Sequence, residues 1–246
     1  MTAVVIMAAG KGTRMNSDLP KVLHRIRDRP LIDHVLATAR QLHPERLILI
    51  VGHNHERVMA AVTGTDVEFV VQEPQLGTGH AVMQVLPLLN NFAGEVVILS
   101  GDVPLLQATT LLRLIFEHRS QSADVTVLST IAPDPSGYGR IIRNGRGKFI
   151  KIVEHRDATP DELCVREINS GIYCFNAKAL FQALADLRPE NAKGEYYLTD
   201  AVHILNIRGR VMQAVDIADF WEVCGINTME ELHSAEAALA QRKVMP

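Results

Sequence analysis

Cysteine is scarce in this chain. Cys164, Cys174 and Cys224 are its only three in 246 residues, an odd number without metal-ligand spacing. That excludes a disulfide framework and a zinc ribbon, and reads as reduced thiols in a cytoplasmic protein. Charge of one sign is also lacking: the net charge is −3, which gives no electrostatic reason to expect nucleic acid or a membrane surface as partner. No apolar run approaches the length of a membrane span. The N-terminus has no basic segment followed by a long apolar stretch, so no signal peptide is expected. The ten histidines form no ligand cluster, and the neighbouring His53 and His55 read as loop residues. No linker rich in Pro, Gly and Ser divides the chain. With 47% hydrophobic residues there is enough for a real core, and one domain with two subregions is expected.

What is present is alternation. Apolar runs at Ala3 to Met7, Arg46 to Val51, Val67 to Val71, Glu95 to Ser100 and Asp124 to Thr130 read as strands. Between them, Ile32 to Gln41, Glu56 to Val62, Gly77 to Leu89 and Thr109 to Arg119 carry helical spacing, the last with Thr109 or Thr110 as cap. This predicts an α/β fold, Rossmann-like, with a mostly parallel sheet and helices on both faces. The second half changes character. Ile141 to Arg143 and Phe149 to Glu154 flank the turn Asn144 to Gly147 and predict a hairpin. Ile168 to Phe175, Val211 to Val215 and Glu222 to Gly225 read as further strands, with helices at Ala177 to Leu187 and toward Asn206. Together they predict a β-rich lobe over the sheet. A last helix from Thr228 to Arg242 would bury Met229, Leu232, Ala235 and Leu239.

The chemistry starts at the turn after the first strand, Ala8-Ala9-Gly10-Lys11-Gly12-Thr13-Arg14-Met15. A Gly-rich turn at that point of an open α/β sheet is where phosphates bind, because Gly10 and Gly12 let bare N–H groups approach an anion. Arg14 can fork onto two phosphate oxygens, and Lys11 and Lys21 add charge. It is not a P-loop, since no Gly-Lys-Ser/Thr follows at the required spacing. It only half-matches the dinucleotide fingerprint, with Met15 in place of the third glycine and no acidic residue after the second strand. Two cations in the loop suit a triphosphate. Other candidates follow. Gln72, a donor and acceptor suited to a pyrimidine edge, opens the run Gln72 to His80, where Gly77 allows close approach and Thr78 is either a cap or a contact. Asp102 stands just beyond the strand Glu95 to Ser100, as a turn residue or a metal ligand. Asn227 precedes the last helix, as its cap or a ligand.

These motifs, Ala-Ala-Gly-Lys-Gly-Thr-Arg-Met followed by Leu19-Pro20-Lys21, and Gln-Leu-Gly-Thr-Gly-His at 75–80, resemble the sugar-nucleotide pyrophosphorylases. More narrowly the chain is similar to the uridyltransferase half of the bacterial bifunctional enzymes that make UDP-N-acetylglucosamine. The resemblance runs from Val4 to Thr228. It implies that Arg14 and Lys21 are catalytic and hold the triphosphate. It implies that Ala8, Ala9, Gly10, Gly12 and Thr13 cradle the nucleotide, and that Gln72, Gly77 and Thr78 read uracil. Gly139, Glu154, Asn169, Tyr197 and Thr199 would form the sugar pocket, and Asp102 and Asn227 would ligate Mg²⁺. One departure is Ser100, where the better-known members carry Tyr.

The implied activity is uridylyl transfer from UTP to N-acetylglucosamine 1-phosphate, giving UDP-N-acetylglucosamine and diphosphate for cell-envelope precursors. Three rival readings are a pyrophosphorylase for another sugar or dTTP, a dinucleotide-dependent oxidoreductase, and a silent nucleotide-binding regulator. The expected division is 1–227 for the transferase and 228–246 for a linker helix. In the family such a helix leads into a β-helix of hexapeptide repeats carrying acetyltransferase activity. No such repeats occur here, so no acetyl transfer is expected, and a monomer or weak dimer is.

Overall fold

The computed structural model describes residues 1–242. The end of the expected linker segment, residues 243–246, lies outside the described residues. The chain opens with β1 (Thr2–Ala8), a small ribbon of β2 (Arg25–Ile26) and β3 (Arg29–Pro30), and α1 (Leu31–Arg40). Then β4 (Arg46–Val51), α2 (His55–Ala61), β5 (Val67–Val71), α3 (Thr78–Met83), β6 (Glu95–Ser100), α4 (Ala108–Ser120) and β7 (Val125–Ile131) alternate. The second half comprises the hairpin β8 (Arg140–Arg143) and β9 (Phe149–Val153), α5 (Pro160–Leu163), β10 (Glu167–Asn176), α6 (Ala177–Leu184) and α7 (Leu198–Ile207). It ends with β11 (Met212–Ile217), α8 (Phe220–Val223) and α9 (Met229–Arg242).

One nine-stranded sheet runs through both halves, ordered β11-β7-β10-β6-β1-β4-β5, with β8 on β10 and β9 on β8. β1 pairs in parallel with β4 and β6, β4 with β5, and β7 with β11. β10 is antiparallel to both of its long neighbours, β6 and β7. The central strands β1, β4 and β6 are nearly continuous apolar runs because both faces are covered. Along β1, Val4 and Ile6 face the layer of α1, α2 and α4, while Ala3 and Val5 face α3, α6 and α7. Among the described residues no helix is long and apolar enough to cross a membrane.

Several local expectations are corrected. Glu222 to Gly225 is not a strand: Phe220–Val223 is a helical turn, started by the Asp219 side chain accepting from the Trp221 N–H. The helix expected from Gly77 to Leu89 is regular only over Thr78–Met83 and continues as turns. Neither Thr109 nor Thr110 caps α4, which begins at Ala108 after Gln107 with no side-chain cap. On α9 the buried face is Leu232, Ala235 and Ala238, packed on Ile26, Leu31, Leu105 and Ile226, whereas Met229 is exposed.

The topology positions a cleft. The chain moves outward from β1 to β4 and β5, then returns to β6 on the other side of β1. The connections after β1 and β6 therefore diverge. The gap they leave at the carboxyl ends of the strands is where open α/β sheets bind ligands.

Candidate active site

Ala8 to Met15 leaves β1 into that gap. Gly12 is left-handed, with φ 64°, and leads into the 3-10 turn Thr13–Met15, closed by left-handed Asn16. A Cβ on Gly12 would lie 2.7 Å from the Lys21 Cβ, so glycine is what lets the loop close on Lys21. Lys21 itself begins the turn Lys21–Leu23, anchored by buried Val22 and Leu23. Gly10 meets nothing within 4 Å and faces open space.

Four side chains separated by up to 213 positions converge here. The Lys21 ammonium donates to Asp102 Oδ2 and, at 3.0 Å, to Asn227 Oδ1. Arg14 donates to the same Asn227 oxygen at 2.8 Å. Asp102 is held by its own carbonyl, which accepts from the Ile226 N–H at 2.9 Å. Asn227 does not cap α9. Thr228 does, accepting from the Glu231 N–H while the Glu231 carboxylate accepts from the N–H groups of Asn227 and Thr228. That leaves the Asn227 amide oxygen aimed at the cations. One charged and one neutral hard oxygen converging on a cation fit Mg²⁺, which takes a carboxylate or two and completes its shell from phosphates and water. Among the described residues no group of three or more His, Cys, Asp and Glu could hold a metal, so no closed protein cage is offered instead.

Beside this cluster lies a cavity of about 290 Å³, lined by Ala8, Ala9, Gly10, Lys21, Gln72, Gly77, Thr78 and Asp102. Gln72 is 3% exposed. Its amide nitrogen donates to the Gly77 carbonyl at 2.9 Å and lies 3.2 Å from His80 Nδ1. The amide nitrogen is thus turned into the loop, and the Oε1 acceptor is the part of the amide left for a ligand. Gly77 has φ 111°, and a Cβ there would stand 2.5 Å from the Tyr196 carbonyl oxygen. Its glycine is therefore required by close packing on the 195–198 segment. Thr78 does not cap α3; its hydroxyl accepts from the Leu198 N–H at 3.0 Å.

A second cavity of about 530 Å³ opens next door, lined by Thr13, Arg14, Thr78, Glu154 and Tyr197 among others. Glu154 accepts from the Thr199 hydroxyl at 3.0 Å, and burial pushes its carboxyl above the usual range. Gly139, Asn169 and Thr199 stand behind the wall instead of lining it. Thr199 is 3% exposed and orients Glu154. The Gly139 carbonyl accepts from the Asn169 N–H at 2.9 Å. The Asn169 side chain donates to the Tyr173 hydroxyl at 2.7 Å and accepts from the Gly171 N–H at 3.1 Å. This last bond belongs to a bulge in β10, where the register slips between Asn169 and Tyr173 and Gly171 takes φ 77°.

Ser100, the departure noted above, lines the first cavity. The structure adds residues not singled out from the sequence: Gln75 lines the first cavity, His155, Arg156 and Lys193 the second, and Glu195 both. Glu195 stands two residues before Tyr197, and Gln75 lies inside the motif at 75–80, which was the available signal. Lys193 has none. Arg140, 2% exposed, sits behind the second cavity and donates to the Tyr138 carbonyl.

This arrangement defines a class: a nucleotide-diphospho-sugar transferase fold, with a polar, cation-rich cleft at the switch point of its sheet. A solved UDP-glucose pyrophosphorylase superposes with a TM-score of 0.79 at 18% identity, covering 98% of this chain and 99% of that one. The chain belongs to the family of MobA-like NTP transferase domains, whose model matches residues 4–202. It is 46% identical over 240 residues to the bifunctional protein GlmU of Pelotomaculum thermopropionicum, covering 98% of this chain and 52% of that protein. It is likewise 46% identical over 238 residues to the GlmU of Shouchella clausii, covering 97% and 52%. The chain thus spans about half the length of these curated relatives.

Proposed function

We propose that this chain transfers the uridylyl group of UTP to N-acetylglucosamine 1-phosphate. The observation that carries the reading is the convergence of Arg14, Lys21, Asp102 and Asn227 between β1 and β6, with Gln72 in the adjoining cavity. The similarity to GlmU proteins over nearly all of this chain supports the choice of substrates.

A sugar-phosphate oxygen attacks the α-phosphorus, a new P–O bond forms, and the bond to the β-phosphate breaks with diphosphate leaving. The nucleophile is already anionic, so the chain need not supply a strong base. Its work is alignment and charge compensation. Arg14 and Lys21 face the triphosphate, with Ala8 to Thr13 around it. Asp102 and Asn227 would hold Mg²⁺, which when bound neutralises phosphate charge. The Gln72 Oε1 accepts from the uracil N3–H. Cytosine has an acceptor at that position, so the same oxygen would repel it. In the second cavity Glu154, steered by Thr199, and Tyr197 face the N-acetylated sugar, with Gly139 and Asn169 shaping the wall. The same proposal places the chain in the cytoplasm, in keeping with free Cys164, Cys174 and Cys224.

The test is diphosphate release with Mg²⁺ across UTP, CTP, dTTP and ATP, each with N-acetylglucosamine 1-phosphate or glucose 1-phosphate. UTP with the N-acetylated sugar should be the fastest pair. Faster release with another pair, or none with any, rejects the reading.

A further inference from the structure

The two oxygens suited to a metal are already bridged by the chain's own cation. The Lys21 ammonium hydrogen-bonds Asp102 Oδ2 and Asn227 Oδ1, and the Arg14 guanidinium shares the latter oxygen. A metal bound to both oxygens would stand about 2.1 Å from each. That is the ground the ammonium holds, and two cations at contact distance repel strongly.

We propose that Lys21, backed by Arg14, is a stand-in for the metal: it blocks uptake of a bare divalent cation until a triphosphate draws both side chains away. This rests on the reading that Arg14 and Lys21 bind phosphates. Two further observations support it. First, the loops that carry the two oxygens are fixed without Lys21. The Asp102 carbonyl is tied to the Ile226 N–H, the Asn227 backbone is tied to Glu231 of the α9 capping box, and the Asn227 amide nitrogen donates to the Gly225 carbonyl at 3.0 Å. When the ammonium leaves, both loops stay where a metal needs them. Second, Lys21 is mechanically linked to the phosphate loop. Gly12 packs so closely that any Cβ there would collide with the Lys21 Cβ at 2.7 Å. A phosphate that reshapes the loop therefore acts on the lysine stem. Metal and triphosphate are then taken up with positive coupling, and the protein avoids being loaded with metal alone.

The experiment is Mn²⁺ binding to the metal-stripped full chain without nucleotide, followed by electron paramagnetic resonance of the free ion. Lys21→Met should tighten Mn²⁺ binding by about tenfold or more, because a like charge is removed from the site. Arg14→Met should give a smaller gain, and Lys21→Met with Asp102→Asn should lose the gain. Lys21→Gln, uncharged, is read in the same way. A folded Lys21 variant that binds Mn²⁺ no tighter than wild type overturns the proposal. So does loss of the wild-type circular dichroism spectrum in both Lys21 variants, since the oxygens would then depend on the lysine. UTP binding in chelator reports the underlying reading separately. A Lys21→Met protein that gains Mn²⁺ affinity yet keeps wild-type UTP affinity keeps the block on bare metal but overturns its release by triphosphate, and with it the coupling.

Discussion

Gly77→Ala tests whether the seam between the two cavities is built as described. Gly77 has φ 111° and ψ 174°, a region open essentially to glycine alone, and a side chain there costs about 1–3 kcal/mol in backbone strain. The new Cβ would lie 2.5 Å from the Tyr196 carbonyl oxygen and 2.9 Å from the Tyr196 nitrogen. Backbone cannot yield by a side-chain rotation, so the loop and the 195–198 segment must separate. The bonds at risk are Gly79 N–H to Tyr196 O at 2.7 Å and Tyr196 N–H to Leu76 O at 2.8 Å. At about 1 kcal/mol each, the total is roughly 3–5 kcal/mol, or a fall in Tm of roughly 10 °C for a chain of this size. Scanning calorimetry measures it. Gly10→Ala is the control, because its Cβ would meet nothing within 4 Å; it should stay within about 1 kcal/mol of wild type. Equal melting temperatures for Gly77→Ala and Gly10→Ala would refute the packing argument.

Three more outcomes are expected. Asp102→Ala should lower kcat by roughly 10²–10³-fold, and Asn227→Ala by less, since Asp102 supplies the charge; steady-state kinetics with Mg²⁺ would contradict this if Asn227 mattered more. Gln72→Ala should shrink the preference for UTP over CTP in competitive binding, and an unaltered ratio would discharge Gln72 as the base reader. Burial beside Glu154 and Asp157 pushes the Asp200 carboxyl up to about 6. Its folded pKa is raised, so its contribution to stability is present below the ordinary carboxylate pKa of about 3.9 and is lost as pH rises through about 6. Asp200→Asn should therefore raise Tm at pH 7.5 and lose that advantage near pH 4. An advantage independent of pH would show that the carboxylate charge is not the cause.

The sequence by itself determined most of the strands of the main sheet, the helix layers and the place of the phosphate loop, because continuous apolar runs such as Thr2–Ala8 and the helical spacing of Leu31–Arg40 are local signals. It also marked Arg14, Lys21 and Gln72, whose motifs are short and contiguous. Tertiary structure decided what depends on approach between distant segments. Only packing shows that Gly77 is a glycine because of Tyr196, or that Gly12 is one because of Lys21. The β10 bulge that turns Asn169 toward Tyr173 comes from pairing with β7, and no local pattern encodes it. Thr78 could be read as a contact or a cap until the chain brought Leu198 to it, and Thr199 is turned onto Glu154 only by the fold. The meeting of Asp102 with Asn227, and the ammonium between them, exists because the sheet's switch point and the α9 capping box bring two remote loops onto one lysine.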